Sequence, residues 1–308
     1  MNLLITGVCG HIGSYLLENI NKIKKINKIY LVDNLENEKA SSLFKIKSKK
    51  KIYFFLRDLK NKNALTDIKN IDIVIHLASI TNAAASFFIK KKLYENNLGC
   101  FNNIINFCIK SRAKLIHISS TSIYGKSKGI VHEDSGIKDI NPQSPYAEVK
   151  FLEENILKKN SKKIKFTSFR FGTIVGPSKG MRFHTAVNNF CLRATINDYI
   201  NIYKTAKNQY RPYLSIRDSF KVFKFCIEKN FFKNDIFNAL SGNFTTYEIL
   251  SKIKKIKKKI KIKYVNSPIM NQLSYHVDKN KLSKSGLILN SNLDIDIKKT
   301  IKLLNYLQ

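Results

Sequence analysis

The chain has 308 residues, 44% of them apolar, and a formal net charge of +33. That is enough apolar material for a substantial core, in one large domain or two closely joined ones, while Lys, Asn or Ser breaks every apolar run short of a membrane span. The charge does not read as a nucleic-acid surface: only seven of the 55 basic residues are Arg, the side chain that bidentate contacts to phosphate and guanine favour.

The lysines instead run the length of the chain, as in KIKKIKKKIKIK at 252–263. Charge runs of this kind are usually solvated faces. Abundant Lys, Asn and Ile beside scarce Arg, Pro and Trp fit an AT-rich coding sequence. Against that background each Arg is informative, and four of the seven (Arg170, Arg182, Arg211, Arg217) fall in the stretch assigned below to substrate binding. The five cysteines are scattered without metal-ligand spacing, so we expect reduced, mostly buried thiols and no metal site. The N-terminus enters a strand with no basic region and cleavable apolar segment before it, and the expected location is cytoplasmic.

In chain order, apolar runs predict strands at 2–6, 28–32, 52–56, 71–77, 115–119 and 165–170, with helical patterns at 12–24, 97–111 and 146–159 between them. Strand and helix in turn predict an α/β, doubly wound parallel sheet of Rossmann type, covered on both faces. After 170 the rhythm changes. A Gly- and Pro-punctuated loop leads to a helix at 185–196, strands at 199–203 and 213–216, and helices at 218–229 and 246–259. Ile249, Ile253, Ile256 and Ile260 share one face of the last helix. The expected division is a dinucleotide-binding part, 1–172, and a smaller substrate-binding lobe, 173–308, partly interleaved with the first.

The first predicted strand runs into TGVCGHIG, a G-x-x-G-x-x-G spacing at Gly7, Gly10 and Gly13. One glycine permits the tight turn, the next lets backbone N–H groups approach a pyrophosphate, and the last lets helix and sheet pack closely. The helix end adds partial positive charge. Asp33 ends the second strand twenty residues after Gly13, where a carboxylate accepts hydrogen bonds from an adenosine ribose. No Arg follows it, although Lys39 is not far, so NAD is favoured over NADP. Asp58 is placed to reach the adenine or to cap a helix.

Tyr146 and Lys150 in PYAEVK lie one helical turn apart and share a face. A neighbouring ammonium favours a phenolate and makes tyrosine a usable base. HISSTSIYG ends a strand in four hydroxyl residues, and carboxyl ends of parallel strands line the ligand crevice. Ser120 can therefore offer its hydroxyl beside Tyr146.

With these residues the chain resembles the extended short-chain dehydrogenases/reductases, in their NAD-dependent nucleotide-sugar epimerase/dehydratase family. The matching segments are TGVCGHIG, VDNL, RDL, VIHLAS, ENNLG, SSTSIYG, SPYAEVK, FRFGTIVGP and YRPYLSIRD, in order over 2–218. The resemblance implies that Gly7, Gly10, His11, Ile12 and Gly13 hold the pyrophosphate, and that Asp33 and Asn34 meet the adenosine ribose. Asp58 and Leu59 would flank the adenine, while Leu77, Ala78, Ser79 and Asn96 line the cofactor path. Ser120, Tyr146 and Lys150 would be catalytic, with Tyr146 and Lys150 also at the cofactor and Lys150 on the nicotinamide ribose. Arg211 would contact the substrate diphosphate, a role suited to a guanidinium.

Two departures bear on the reaction. The family's dehydratases carry an Asp-Glu pair after the catalytic hydroxyl residue, where this chain has Thr121 and Ser122, so elimination is disfavoured. A common substrate-contacting Asn is replaced by Thr173. Beyond it Met181, Arg182, His184, Asn188 and Asn189 are candidate substrate contacts, although His184 reads better as a loop hydrogen-bonding residue. The implied activity is epimerisation of a nucleotide-diphosphate sugar at carbon 4. The alternatives are a nucleotide-keto-sugar reductase or decarboxylase on the same residues, and a non-catalytic NAD-binding sensor or scaffold. Relatives pair through helices matching 97–111 and 146–159 as a four-helix bundle, so a homodimer is expected. Phe101, Ile104, Ile105 and Cys108 supply an apolar face there, or cover the sheet.

Overall fold

The computed structural model describes residues 1–36, 38–125, 127, 129–135, 139–266 and 275–305. The first half runs β1 (Asn2–Thr6), α1 (His11–Glu18), β2 (Lys28–Asp33), β3 (Lys51–Leu56), β4 (Ile73–His76), α2 (Lys90–Ser111), β5 (Lys114–Ser120), β6 (Ile130–Val131), α3 (Pro145–Lys159) and β7 (Phe166–Phe171). The second runs β8 (Thr173–Val175), α4 (Ala186–Thr195), β9 (Tyr199–Tyr203), β10 (Tyr210–Ser215), α5 (Ile216–Glu228), β11 (Asp235–Ala239), β12 (Gly242–Thr245), α6 (Thr246–Lys254), β13 (Lys261–Val265), β14 (His276–Val277), α7 (Asn280–Lys284) and α8 (Leu293–Leu304).

Seven strands form one sheet in the order β11-β7-β5-β4-β1-β2-β3, parallel at every pairing. The expected doubly wound sheet is present, with a strand not read from the sequence: β11 pairs with β7 from Asp235 against Thr167 to Ala239 against Phe171. The chain order reverses between β1 and β4, the point at which such sheets bind ligands beyond their carboxyl ends. There Thr6 Oγ1 meets His76 Nδ1 at 2.8 Å, both buried.

One face of the sheet is covered by α1 and α5, with Leu16, Leu17, Phe223 and Cys226 packed against Ile5, Leu31 and Phe169. On the other, Phe101, Ile104, Ile105 and Cys108 of α2 pack with Leu4, Val74 and Leu115. That apolar face therefore covers the sheet, and a dimer through α2 and α3 would use their other sides. All five cysteines are buried and unpaired, as expected. No helix among the described residues is long and apolar enough to cross a membrane.

A third cluster gathers Val187, Phe190 and Cys191 of α4, Ile249 and Ile253 of α6, and Leu293, Ile297 and Ile301 of α8. Fully burying an Ile such as Ile253 contributes roughly 1.5–3 kcal/mol. Ile256 and Ile260 join the cluster although α6 stops at Lys254. Two of the four arginines that fall in the stretch assigned to substrate binding hold the structure together. Arg170 lies inside the sheet layer against Glu154, and Arg217 clasps Asp296 of α8 at 2.9 Å.

Candidate active site

Two adjoining cavities of about 570 Å³ and 610 Å³ open above the switch point. Both are walled by Gly7, Gly10, Leu77, Ser79, Arg182 and His184. The first also takes in Asp33, Asn34, Asp58, Leu59, Ala78 and Asn96. The second takes in His11, Ile12, Gly13, Ser120, Tyr146, Lys150, Thr173, Asn189 and Arg211. The residues singled out from the sequence for a site thus line one of two joined chambers, with Asn188 the exception.

The glycine loop is built for something to lie over it. Gly7 has φ +67°, and a Cβ there would stand 2.4 Å from Ala78 N. A Cβ on Gly13 would stand 2.5 Å from Val8 O, so close backbone packing demands glycine at both places, against the end of β4 at Gly7 and between α1 and the turn at Gly13. Gly10 is different: its Cβ would meet nothing nearer than Gly7 O at 3.3 Å and Arg182 Nη2 at 3.5 Å. The protein's own packing tolerates more at Gly10, and the open space is what a dinucleotide needs. α1 begins directly after it, at His11, with its N–H groups turned to that space. Asp33 is fixed in advance, since its two oxygens accept from Cys9 N and Leu35 N at 2.9 Å. The residues present fit a dinucleotide: a carboxylate in one chamber, a bare glycine and a helix end at the junction, and Tyr146 and Lys150 in the other.

The catalytic candidates follow from local sequence. Ser144 caps α3 by accepting from Ala147 N at 3.2 Å, and Pro145 opens the helix. That start sets Tyr146 in the first turn and Lys150 one turn on, with Tyr146 partly exposed to the cavity and Lys150 4% exposed. Ser120 ends β5 and carries two tasks. Its Oγ accepts from Ser122 N at 3.2 Å and lies 2.8 Å from Ser122 Oγ, while the residue faces the cavity. Ser120 is thus also the cap of the short turn that follows β5. Thr121 is buried with its hydroxyl donated to Phe171 O at 3.3 Å.

Sequence reading gave no sign that the segment after β8 folds onto the glycine loop. His11 Nε2 lies 2.7 Å from Gly176 O, and burial pushes this imidazole down to about 3, so it stays neutral. Ser178 Oγ donates to His11 O at 2.8 Å, Gly180 N to Ser14 Oγ at 2.9 Å, and Lys39 Nζ to Gly180 O at 2.9 Å. These bonds deliver Arg182 to the junction of the chambers. Burial lowers Arg182 from the usual arginine value, and Tyr146 acts in the opposite sense. Burial first, then Arg182 and Lys39, push His184 down to about 4. No carboxylate among the described residues pairs with Arg182, so this charge is free for an anion. Its scarcity in an Lys-rich chain was the signal that pointed to it. Asn201, Tyr203, Thr246 and Tyr275 also reach the second chamber, and nothing in their local sequence marked them. Asn188 turns away, its amide donated to Arg182 O at 3.1 Å.

A parallel sheet with a glycine loop at its switch point, and Tyr and Lys one turn apart on the adjoining helix, is the architecture of the dinucleotide-binding short-chain dehydrogenases/reductases. The chain belongs to the NAD dependent epimerase/dehydratase family, which it matches over residues 3–239. It is 28% identical to the ADP-L-glycero-D-manno-heptose-6-epimerase of Brachyspira hyodysenteriae, over 86% of this chain and 84% of that one. It is also 28% identical to the dTDP-D-glucose 4,6-dehydratase of Dictyostelium discoideum, over 74% of this chain but 55% of the relative's length. The UDP-glucose 4-epimerase of Thermus thermophilus, solved in complex with NAD, superposes with a TM-score of 0.85 over 99% of both chains. At 22% identity that likeness is one of fold.

Proposed function

We propose that the protein is an NAD-dependent epimerase of a nucleotide-diphosphate sugar, acting at carbon 4 through a keto intermediate. The observation that carries the reading is the make-up of the second chamber. It gathers Ser120, Tyr146, Lys150, Arg182 and Arg211, and its described lining contains no Asp or Glu. Cations without carboxylates suit a substrate bearing a diphosphate. Loss of water from a sugar needs an acid and a base, and the positions that supply them in dehydratases are Thr121 and Ser122. Elimination therefore lacks its groups, although a dehydratase is among the relatives.

In this reading Asp33, Gly10 and the start of α1 hold the dinucleotide across the two chambers, with Lys150 on its nicotinamide ribose. Bound NAD supplies the acceptor and donor for the hydrogen on the sugar carbon. Tyr146 removes the proton from the sugar hydroxyl and returns it at the end, and Ser120 Oγ steadies the same oxygen. Arg211 grips the diphosphate, and Thr173 and Asn189 contact the sugar, leaving it room to turn over as the keto form. Fixed donors in a chamber walled in part by the segment after β8 supply the electrostatic part of the acceleration.

Denaturing the protein as purified and identifying released nucleotide by mass spectrometry tests the reading. Near-stoichiometric NAD is expected, because an epimerase regenerates its cofactor in place. Protein that arrives empty and binds NAD(P)H weakly and reversibly favours the reductase instead.

A further inference from the structure

Lys150 is an ammonium almost sealed from water, at 4% exposure. A lysine in such a place loses its proton unless an acid faces it. The acid is Glu153, three residues along the same helix face: Lys150 Nζ donates to Glu153 Oε2 at 2.7 Å. The same oxygen lies 2.9 Å from His117 Nε2 on β5, and His117 Nδ1 lies 2.8 Å from Ser168 Oγ on β7. Phe101 packs on the His117 ring, with centroids 4.9 Å apart. Glu153 and His117 are themselves buried, at 1% and 0% exposure. Three elements thus converge to hold one carboxylate against one lysine. No dehydrogenase chemistry in the two chambers requires a histidine there, and Glu153 touches neither chamber.

We propose that Glu153, steadied by His117, is the positioning residue that keeps Lys150 protonated and aimed at the cofactor ribose. The proposal rests on the reading of Tyr146 and Lys150 as the pair that meets cofactor and sugar.

The surrounding charges agree with it. Burial works against the Lys150 ammonium, but Glu153, with Tyr146 and Glu154 on the same helix, outweighs burial and holds its pKa above the usual lysine value. Burial likewise resists the Glu153 carboxylate, and Lys150 and His117 overcome it, taking Glu153 down to about 2. His117 on β5 and His76 on β4 are both pushed down, chiefly by burial, and stay neutral. Cys100 on α2 completes the surroundings, its thiol pushed up to about 12 mainly by burial. The sign follows. With Glu153 present, Lys150 keeps its proton throughout the neutral and mildly basic range. Without it, burial is opposed only by Tyr146 and Glu154, and Lys150 is expected to deprotonate below the ordinary lysine value of about 10.4.

The test uses the full chain with its bound NAD and follows loss of NAD on dilution into NAD-free buffer, between about pH 6 and pH 10. Wild-type retention should vary little beyond what Lys39, common to all variants, contributes. Glu153→Gln should shed NAD at least tenfold faster at the basic end than at the acidic end, with a midpoint inside the range. Lys150→Met should shed it fast at every pH. Glu153→Asp, which keeps the charge on a shorter arm, should show an intermediate midpoint, and it carries the test if Glu153→Gln does not fold. A leaky Lys150→Met beside a Glu153 variant with no pH-dependent step beyond that of the wild type overturns the proposal alone. A Lys150→Met that holds NAD as the wild type does overturns the reading of Lys150 and the proposal with it.

Discussion

Replacing Tyr146 by Phe should lower turnover about 10²–10⁴-fold, the contribution of a positioned general base, and should leave NAD in place. The substitution removes one oxygen and keeps the ring. The backbone around it is held independently, by the Ser144 cap on Ala147 N and by Ser86 Oγ, which accepts from Tyr146 N at 3.4 Å. Tyr146 is the one residue of the second chamber's helix wall with an ionisable oxygen facing the cavity, while its neighbour Lys150 is tied to Glu153. The loss should therefore fall on kcat, with little change in thermal stability. The check is the rate on whichever nucleotide sugar the wild type converts, together with the NAD content of each preparation. A Phe variant within a few-fold of wild type would place the base elsewhere.

The second large effect is on stability. Glu154 accepts from Arg170 Nε at 2.9 Å, from Arg170 Nη2 at 2.7 Å and from Ser119 Oγ at 2.6 Å. Arg170 Nη1 reaches Tyr124 OH at 2.7 Å, and that hydroxyl donates to Asn238 Oδ1 on β11 at 2.8 Å. Glu154 and Arg170 are 0% and 2% exposed. Replacing Glu154 by Gln leaves a buried guanidinium without its counter-ion, a change that costs about 3–5 kcal/mol. Urea denaturation should read it as a lower midpoint at unchanged slope. A Glu154→Met, Arg170→Met pair should recover part of the loss, because no charge is then left unpaired. A loss below about 1 kcal/mol for Glu154→Gln, the range of a surface pair, would mean that the network is solvated in solution.

Much of this was legible in the sequence because it rests on short-range rules. Gly7, Gly10 and Gly13 announced a strand-to-helix turn, and the turn is there with Gly7 at positive φ. The spacing of Tyr146 and Lys150 in PYAEVK placed them on one face of a helix, and both lie on α3. Where tertiary packing decides, the reading fell short. The pattern at 97–111 marked only the apolar half of α2; the helix begins at Lys90, because KKKLYEN offers a single buried apolar anchor, Leu93. α1 ends at Glu18, short of the expected 24, where Asn19 turns its amide back on Tyr15 O at 2.9 Å. β11 has five residues and the local sequence DIFNA, too short for any period to show. The Glu153–His117 couple joins residues 36 apart, and the clasp of the 176–182 segment on the glycine loop joins residues more than 160 apart. Arg170 and Arg217 stood out with Arg182 and Arg211 only by their place in the chain, because an Arg-poor sequence does not say which charges face inward.

The most direct test of the central claim is product analysis in D2O, using a panel of UDP-, dTDP- and GDP-sugars and no added cofactor. The account predicts interconversion of a pair of carbon-4 epimers with no deuterium at carbon 4 in the product, because the substrate's own hydrogen is removed and restored within the site. Turnover that appears only with added NAD(P)H, or a 4-keto-6-deoxy product carrying solvent deuterium, would contradict it.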